Sequence, residues 1–250
     1  MLGDAAHVFP PTGGLGLNTG IADSHNLIWK ISAVEKGWAS LFFLQTYTDE
    51  RRPVALANAR QSAKNQKMLF KLFHFATDPR TALVTVEAWE DKAHHDRRAA
   101  IEQAIQDNRE HFDSINLQIG YVYGGDQNLS KGERCDVYQP SCVPGARLPH
   151  AWIRYRGKLC SSLDLIDGTA FVILASDNFN LGQKTTRVPV KIQRIGTDFT
   201  VEQGGSPWAG LIGIDTGCSG VLVRPDQHIV GRVNGDCDID ALLSFGSAGL

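Results

Sequence analysis

The sequence predicts an α/β chain in which helices come first and strands follow. Three observations carry this reading. Apolar positions recur at helical spacing from about Asn18 to Phe112, the periodicity changes to short strand-like runs after Ser114, and a glycine-rich turn, Gly13 to Gly16, delivers the chain straight into the first helix. The change near residue 115 divides the chain into a helical part, 1-115, and a part of mixed strands and helical connections, 116-250.

The first helix is expected from Asn18 to about Lys36, with Ile21, Leu27, Ile28, Ile31 and Val34 apolar and Gly37 as its stop. Because these positions cover more than one narrow stripe, burial on two sides is expected. Asp23 and Asn26 then need polar partners. Ser40 to Thr48 opens a second helix, which Pro53 kinks or restarts before it runs from Val54 to about His74, with Leu69, Leu72 and Phe73 on one face. Asp78-Pro79-Arg80 breaks it, and Thr81 to Trp89 is a further apolar stretch. A helix near Asp96 to Phe112 places Ile101, Ala104, Ile105 and Phe112 on one side and spaces Arg98 and Glu102 for an exposed pair. Strands are expected at Leu117 to Tyr123, Ala151 to Arg154, Ala170 to Leu174, Val188 to Ile192, Phe199 to Glu202, Val221 to Arg224 and Ile229-Val230, with a short closing helix from about Asp238 to Leu243.

Composition excludes several classes of partner. With 25 basic and 27 acidic residues the formal charge is −2, so there is no electrostatic footprint for nucleic acid or an anionic membrane surface, and a small molecule or a protein is the expected partner. No apolar run approaches the roughly 18 residues that span a bilayer. Cys135, Cys142, Cys160, Cys218 and Cys237 form no C-x-x-C pair, which points to reduced cytoplasmic thiols rather than a disulfide framework or a zinc site. The opening residues lack the charged, apolar and small-residue order of a signal peptide. His94, His95 and His111 read as surface residues, since adjacent histidines point to different faces and no carboxylate stands at metal-ligand spacing; no metal is expected.

The chemistry is concentrated between Gly3 and Lys30. A Gly-Asp pair, a Pro-Pro step and the glycines 13, 14 and 16 lead into Asn18-Thr19-Gly20. Glycines there permit close backbone approach and positive φ, and the helix start leaves N–H groups without an internal partner, so the turn attracts negative or partially negative atoms. Asp4 adds an acceptor-only carboxylate suited to sugar-like hydroxyls. Further on, Asp49-Glu50-Arg51-Arg52 reads as a solvated or structural ion-pair cluster, and Arg147 and His150 within Pro144 to His150 as ties from a rigid turn to backbone carbonyls.

In this order the residues resemble the GD motif, flavin-contacting loop and helix of the FAD-dependent aromatic hydroxylases, single-component flavoprotein monooxygenases of the phenol hydroxylase type. The resemblance continues through Tyr47-x-x-Glu50-Arg51-Arg52-Pro53, then Pro144 to His150, Ser161 to Leu165, and Val223-Arg224-Pro225-Asp226. It implies a helical remnant of the FAD-binding domain followed by a thioredoxin-like domain, one without C-x-x-C and therefore without disulfide exchange. It also implies that Asp4 holds the ribityl chain of FAD, that the backbone from Gly14 to Asn18 meets the pyrimidine end of the isoalloxazine, and that Pro10 and Pro11 stand beside the reacting face. The cofactor-binding set is then Gly3, Asp4, Pro10, Gly14, Leu15, Gly16, Leu17 and Asn18.

Met1 and Leu2 leave no room for a strand before Gly3-Asp4, so the chain is read as starting within the fold, without the dinucleotide-binding βαβ unit. Three functional readings follow. In the first, an aromatic or polyketide-like small molecule is hydroxylated once an N-terminal partner chain completes the FAD site, with NAD(P)H as reductant. In the second, the scaffold is a cofactor-independent cyclase, isomerase or dehydratase with Asp4, His7 and Asp23 as acid–base groups. In the third, it is a dimerisation or interaction module. Apolar residues Phe9, Leu15, Leu17, Phe42 and Phe43 are expected to need cover, which a homodimer or the partner chain supplies.

Overall fold

The computed structural model describes residues 1–77, 95–125, 134–181, 186–202, 208–214, 219–235 and 239–246. The expected turn at Asp78 to Arg80, the stretch Thr81 to Trp89, His94, Cys218 and Cys237 lie outside them. The described chain is mixed helix and sheet, with helices first. It forms two compact units: Met1–Ala22, Val54–Gln118 and Asn128–Tyr138 make the first, and Asp23–Pro53, Ile119–Gln127 and Gln139–Leu250 the second.

The first unit takes the start of α1 (Leu15–Glu35), most of α2 (Gln45–Thr77), α3 (His95–Asp107) and α4 (Ile115–Ile119). Pro53 neither ends nor restarts α2, which is a single helix through it; a 3-10 turn, Leu41–Leu44, occupies the start that the sequence suggested. Its core is Leu15, Leu117 and Cys135, with Phe9 and Ala57 packed against them. The expected strand from Leu117 is instead α4 plus a single bridge from Val122 to Ala146, because Leu117 turns into this core while its neighbour Ile115 is exposed. The helix expected to Phe112 ends at Asp107, where the Asn108 amide donates to the Ala104 carbonyl at 2.8 Å. Phe112 and Ile105 are exposed rather than packed, and Arg98 and Glu102 pair at 3.8 Å as their spacing suggests.

The second unit holds two sheets. The smaller is antiparallel, in the order β2 (Lys158–Ser161), β1 (Trp152–Tyr155), β5 (Phe199–Val201). The larger runs β4 (Val190–Arg194), β3 (Phe171–Ala175), β6 (Ser219–Val223), β7 (Ile229–Asn234), with β3 parallel to β4 and antiparallel to β6. That order and sense agree with a thioredoxin-like sheet. Strand β3 is buried along its whole length because its period of two feeds two cores. Val172 and Leu174 join Ile153, Phe199, Trp208 and Ile212 on one face. Phe171, Ile173 and Ala175 join Trp29 and Phe43, and Ile239 and Leu243 of the closing helix, on the other. Among the described residues two further short helices, α5 (Trp208–Ile212) and α6 (Ile239–Gly246), complete the element order.

Strand β2 and helix α5 were not legible in the sequence. The β1–β2 connection is a two-residue turn with Arg156 at φ 50° and Gly157 at φ 76°, the geometry of a type I′ hairpin, and Arg-Gly is a weak signal for it.

Candidate active site

In the first unit a 3-10 turn, Gly3–Ala5, carries Asp4 outward; Gly3 sits at φ 56°, and its carbonyl accepts from the N–H groups of Ala6 and His7 at 2.8 and 2.9 Å. A Cβ placed on Gly20 would stand 3.4 Å from the Cα of Gly3. The two glycines thus let the turn bearing Asp4 lie directly on α1, one turn past its start. His7 stacks on Phe9, with ring centroids 4.9 Å apart.

The loop that follows is bolted down from behind. Ser62 of α2, fully buried, donates from Oγ towards the carbonyls of Pro10 (2.6 Å) and Thr12 (3.0 Å), while the Thr12 hydroxyl donates to the Ser62 carbonyl at 2.7 Å. His111 Nε2 accepts the N–H of Gly13 at 3.0 Å, so this histidine is part-buried and engaged rather than a surface spectator. Gly13 and Gly14 adopt φ 85° and 64°, which set up the entry to α1. Asn18 returns its amide to the Gly14 carbonyl at 2.8 Å, and nothing lies within 4 Å of where side chains on Gly14 or Gly16 would stand. Leu15 points into the core, so it offers only its backbone here, whereas Leu17 and Asn18 face out.

Helix α1 departs from expectation. Its inner stripe carries four buried polar residues, Thr19, Asp23, Asn26 and Lys30, beside the buried Leu15, Trp29 and Ala33. Its outer stripe is apolar, with Leu17 77%, Ile21 59%, Ile28 64% and Ile31 39% exposed, so these side chains are not buried on two sides. Phe42 is likewise exposed, but Leu15 and Phe43 are core residues that need no further cover.

The polar stripe finds its partners within each unit. In the first, Asn58 donates to the Thr19 hydroxyl at 2.8 Å. In the second, Arg51 Nε donates to Asp23 at 2.8 Å, with both side chains buried, and Glu50 Oε2 receives Asn26 at 2.7 Å, Lys30 at 2.8 Å and Arg224 at 2.9 Å. Arg224 also donates to Glu50 Oε1 and Asp226 Oδ2, each at 2.6 Å, and lies over the rings of Trp29 and Tyr123 at 5.1 and 5.3 Å. Burial by itself would raise Glu50, but Arg224 and then Lys30 overrule it and hold the carboxyl at about 2. Asp226 is held well below the usual carboxylate range in the same way, burial opposing and Arg224 with His228 prevailing. Lys30 is pushed down to about 8 because burial outweighs its share of an oxygen that Arg224 already occupies. The Asp49-to-Arg52 cluster is therefore structural rather than solvated at Glu50 and Arg51; Arg52 is exposed.

The remaining motifs of the second unit join one another. Gly145, at φ 85°, accepts from the Tyr123 N–H at 2.9 Å and donates its own N–H to the Ile229 carbonyl at 2.8 Å. His150 Nδ1 meets the Ser161 hydroxyl at 2.9 Å rather than a carbonyl, and Ser161 and Asp164 form a reciprocal cap. Among the described residues no three metal-ligating side chains gather, and no helix is long and apolar enough to cross a membrane.

A family model described as an FAD binding domain matches residues 1–62, the span of the loop, α1 and the first half of α2. The phenol 2-monooxygenase of Pseudomonas sp. (strain EST1001) is 34% identical over 253 residues, covering 91% of this chain and 41% of that protein. A putative polyketide hydroxylase of Streptomyces halstedii is 32% identical, covering 93% of this chain and 40% of its own length. The flavin-dependent monooxygenase PieE, solved in complex with FAD and substrate, superposes with a TM-score of 0.80 at 26% identity, over 98% of this chain and 46% of that one. The chain is similar to these hydroxylases and monooxygenases over nine tenths or more of its own length. It spans about two fifths of the length of the curated relatives it matches.

The loop from Pro10 to Asn18 fits the edge of a flavin ring on this structure's own terms. Open space at Gly14 and Gly16 lets a flat ring reach the backbone, the first turn of α1 presents N–H donors without helical partners, and Asp4 offers acceptors to hydroxyls.

Proposed function

We propose that this chain forms one wall of the flavin site of a monooxygenase acting on an aromatic or polyketide-like small molecule, and that hydroxylation requires a dinucleotide-binding region to complete the site. The observation that carries the reading is the open turn at Gly14 to Gly16 leading into the start of α1, with Asp4 placed on the same helix through Gly3 and Gly20. When bound, FAD supplies the redox and oxygen chemistry, with NAD(P)H as the reductant.

The chain's own residues hold and orient. The carboxylate of Asp4 accepts from ribityl hydroxyls, and the N–H groups at the start of α1, from Leu15 to Asn18, donate to the carbonyl edge of the ring. Gly3 supports Asp4, and Pro10, fixed through its carbonyl, stands at the reacting side. In this reading 1-115 belongs to the flavin-binding domain and 116-250 is the thioredoxin-like domain. The apolar outer stripe of α1 supports a covering partner, either the dinucleotide-binding region or a second copy of the chain. Free thiols at Cys135, Cys142 and Cys160 support a reducing, cytoplasmic setting.

The geometry favours this over a cofactor-independent cyclase, isomerase or dehydratase, because Asp23, the third acid–base group of that alternative, is fully buried and paired with Arg51. The test is titration of the purified chain with FAD, alone and mixed with the dinucleotide-binding region of a relative, followed by visible absorption. Flavin retained by the parent and lost in Asp4→Ala is the expected result. No retention in either mixture, or a product mass without added oxygen, sinks the proposal.

A further inference from the structure

We propose that His111 is a positioning residue for the flavin-facing backbone, acting through Gly13, with Ser62 holding the other end of the same loop. The inference rests on the flavin reading above and adds to it a residue that lies nearly a hundred positions away from the loop.

The loop from Pro10 to Gly14 has little of its own to hold it. Pro10 and Pro11 have no N–H to donate, and Gly13 and Gly14, at positive φ, have no Cβ to restrict their backbone. Beside the Thr12 hydroxyl and the Asn18 amide, which donate to the Ser62 and Gly14 carbonyls, two more distant side chains of the first unit hold the loop. Ser62 takes the carbonyls of Pro10 and Thr12, at 2.6 and 3.0 Å. His111 takes the N–H of Gly13 at 3.0 Å, the last donor before the open glycine that a ring would approach. The site is tight at this point, since a Cβ on Gly13 would come within 2.7 Å of the Asn65 amide. Losing the acceptor at His111 frees Gly13 to rotate, and the N–H groups that follow it lose their aim. A group that touches neither ring nor substrate thereby sets how well the ring is held.

The experiment compares His111→Leu, which has no acceptor, with His111→Gln, whose amide oxygen restores one. In the flavin-free chain, exchange of the Gly13 amide with deuterated water should speed up in the leucine variant and stay protected in the glutamine variant. FAD titrated by fluorescence quenching, in the mixture where the parent retains it, should bind about five- to tenfold more weakly to His111→Leu, as expected for one lost hydrogen bond. The visible band of bound flavin should shift, with both changes reversed to within about twofold in His111→Gln. Equal affinity and an unshifted band in the leucine variant overturn the inference while leaving the flavin reading intact. A parent that holds no flavin overturns that reading first, and this inference with it.

Discussion

The guanidinium of Arg224 forks onto both carboxylate oxygens of Glu50, at 2.6 and 2.9 Å, across 174 positions of sequence. That pair joins the end of the Tyr47-to-Pro53 motif to the start of the Val223-to-Asp226 motif inside the second unit. It explains why an acidic, arginine-rich segment is buried: Glu50 accepts from Arg224, Lys30 and Asn26, while Arg224 keeps Asp226 as its second anion.

Removing the cation at the centre should be severe. Arg224→Met leaves two buried carboxylates without their main partner, which costs on the order of 3–5 kcal/mol. Urea unfolding followed by tryptophan fluorescence is the appropriate measurement, because Trp29 lies under the guanidinium. An unchanged midpoint would show that the network contributes nothing net.

Lys30 should behave in the opposite way. Its folded value of about 8 lies below the unfolded 10.5, so burying the charge costs stability below pH 8, and that cost fades as pH rises from 8 towards 10.5. Lys30→Met, similar in volume, should leave stability at pH 7 unchanged or raise it by about 1 kcal/mol. The gap between variant and parent should narrow by pH 10; a gap independent of pH argues against a buried, strained cation.

Acid should loosen the second unit. Glu50 is held at about 2 against an ordinary 4.5, so its contribution, on the order of 3 kcal/mol, is complete above pH 4.5 and disappears as pH falls towards 2. Glu50→Gln should flatten the fall of the urea midpoint across that window. A variant with the parent's slope would mean that other carboxylates, Asp226 foremost, carry the acid lability.

Two glycines offer a matched comparison. At Gly145 a Cβ would lie 2.0 Å from the Tyr123 carbonyl oxygen, and the residue is at φ 85°, so Gly145→Ala should cost several kcal/mol, roughly 3 or more, and reduce soluble yield. Gly157, at φ 76° with open space around it, should lose only about 1 kcal/mol on the same change. Thermal midpoints of the two variants, measured side by side, separate steric exclusion from backbone preference; equal losses would refute the close approach of residues 123 and 145.

Much of the fold was legible in the chain. FVILA reads as a core strand from its length and apolar run, and it is the buried centre of the larger sheet. The glycine turn and the helix after it stand where the residues place them, to within three positions at the start. What failed was the assignment of faces. Ile21, Ile28 and Ile31 mark an apolar stripe, but periodicity says only that a stripe exists, not which side of the helix meets the protein. In α1 the polar residues Thr19, Asp23, Asn26 and Lys30 are inside, beside Trp29 and Ala33, because other side chains satisfy them. Similarly, nothing about His111 as one residue in an exposed-looking segment announces that its ring accepts from Gly13.

The order of residues thus determined the sequence of helices and strands, the glycines that must turn, and the positions able to carry charge, since these follow from local sterics and spacing. Only the tertiary structure decided which charges are buried, which hydroxyl and imidazole hold the loop, and which face of α1 is left apolar and exposed. Those depend on partners tens to hundreds of residues away, and the free energy of a buried polar group is set by the partner it meets rather than by its own identity.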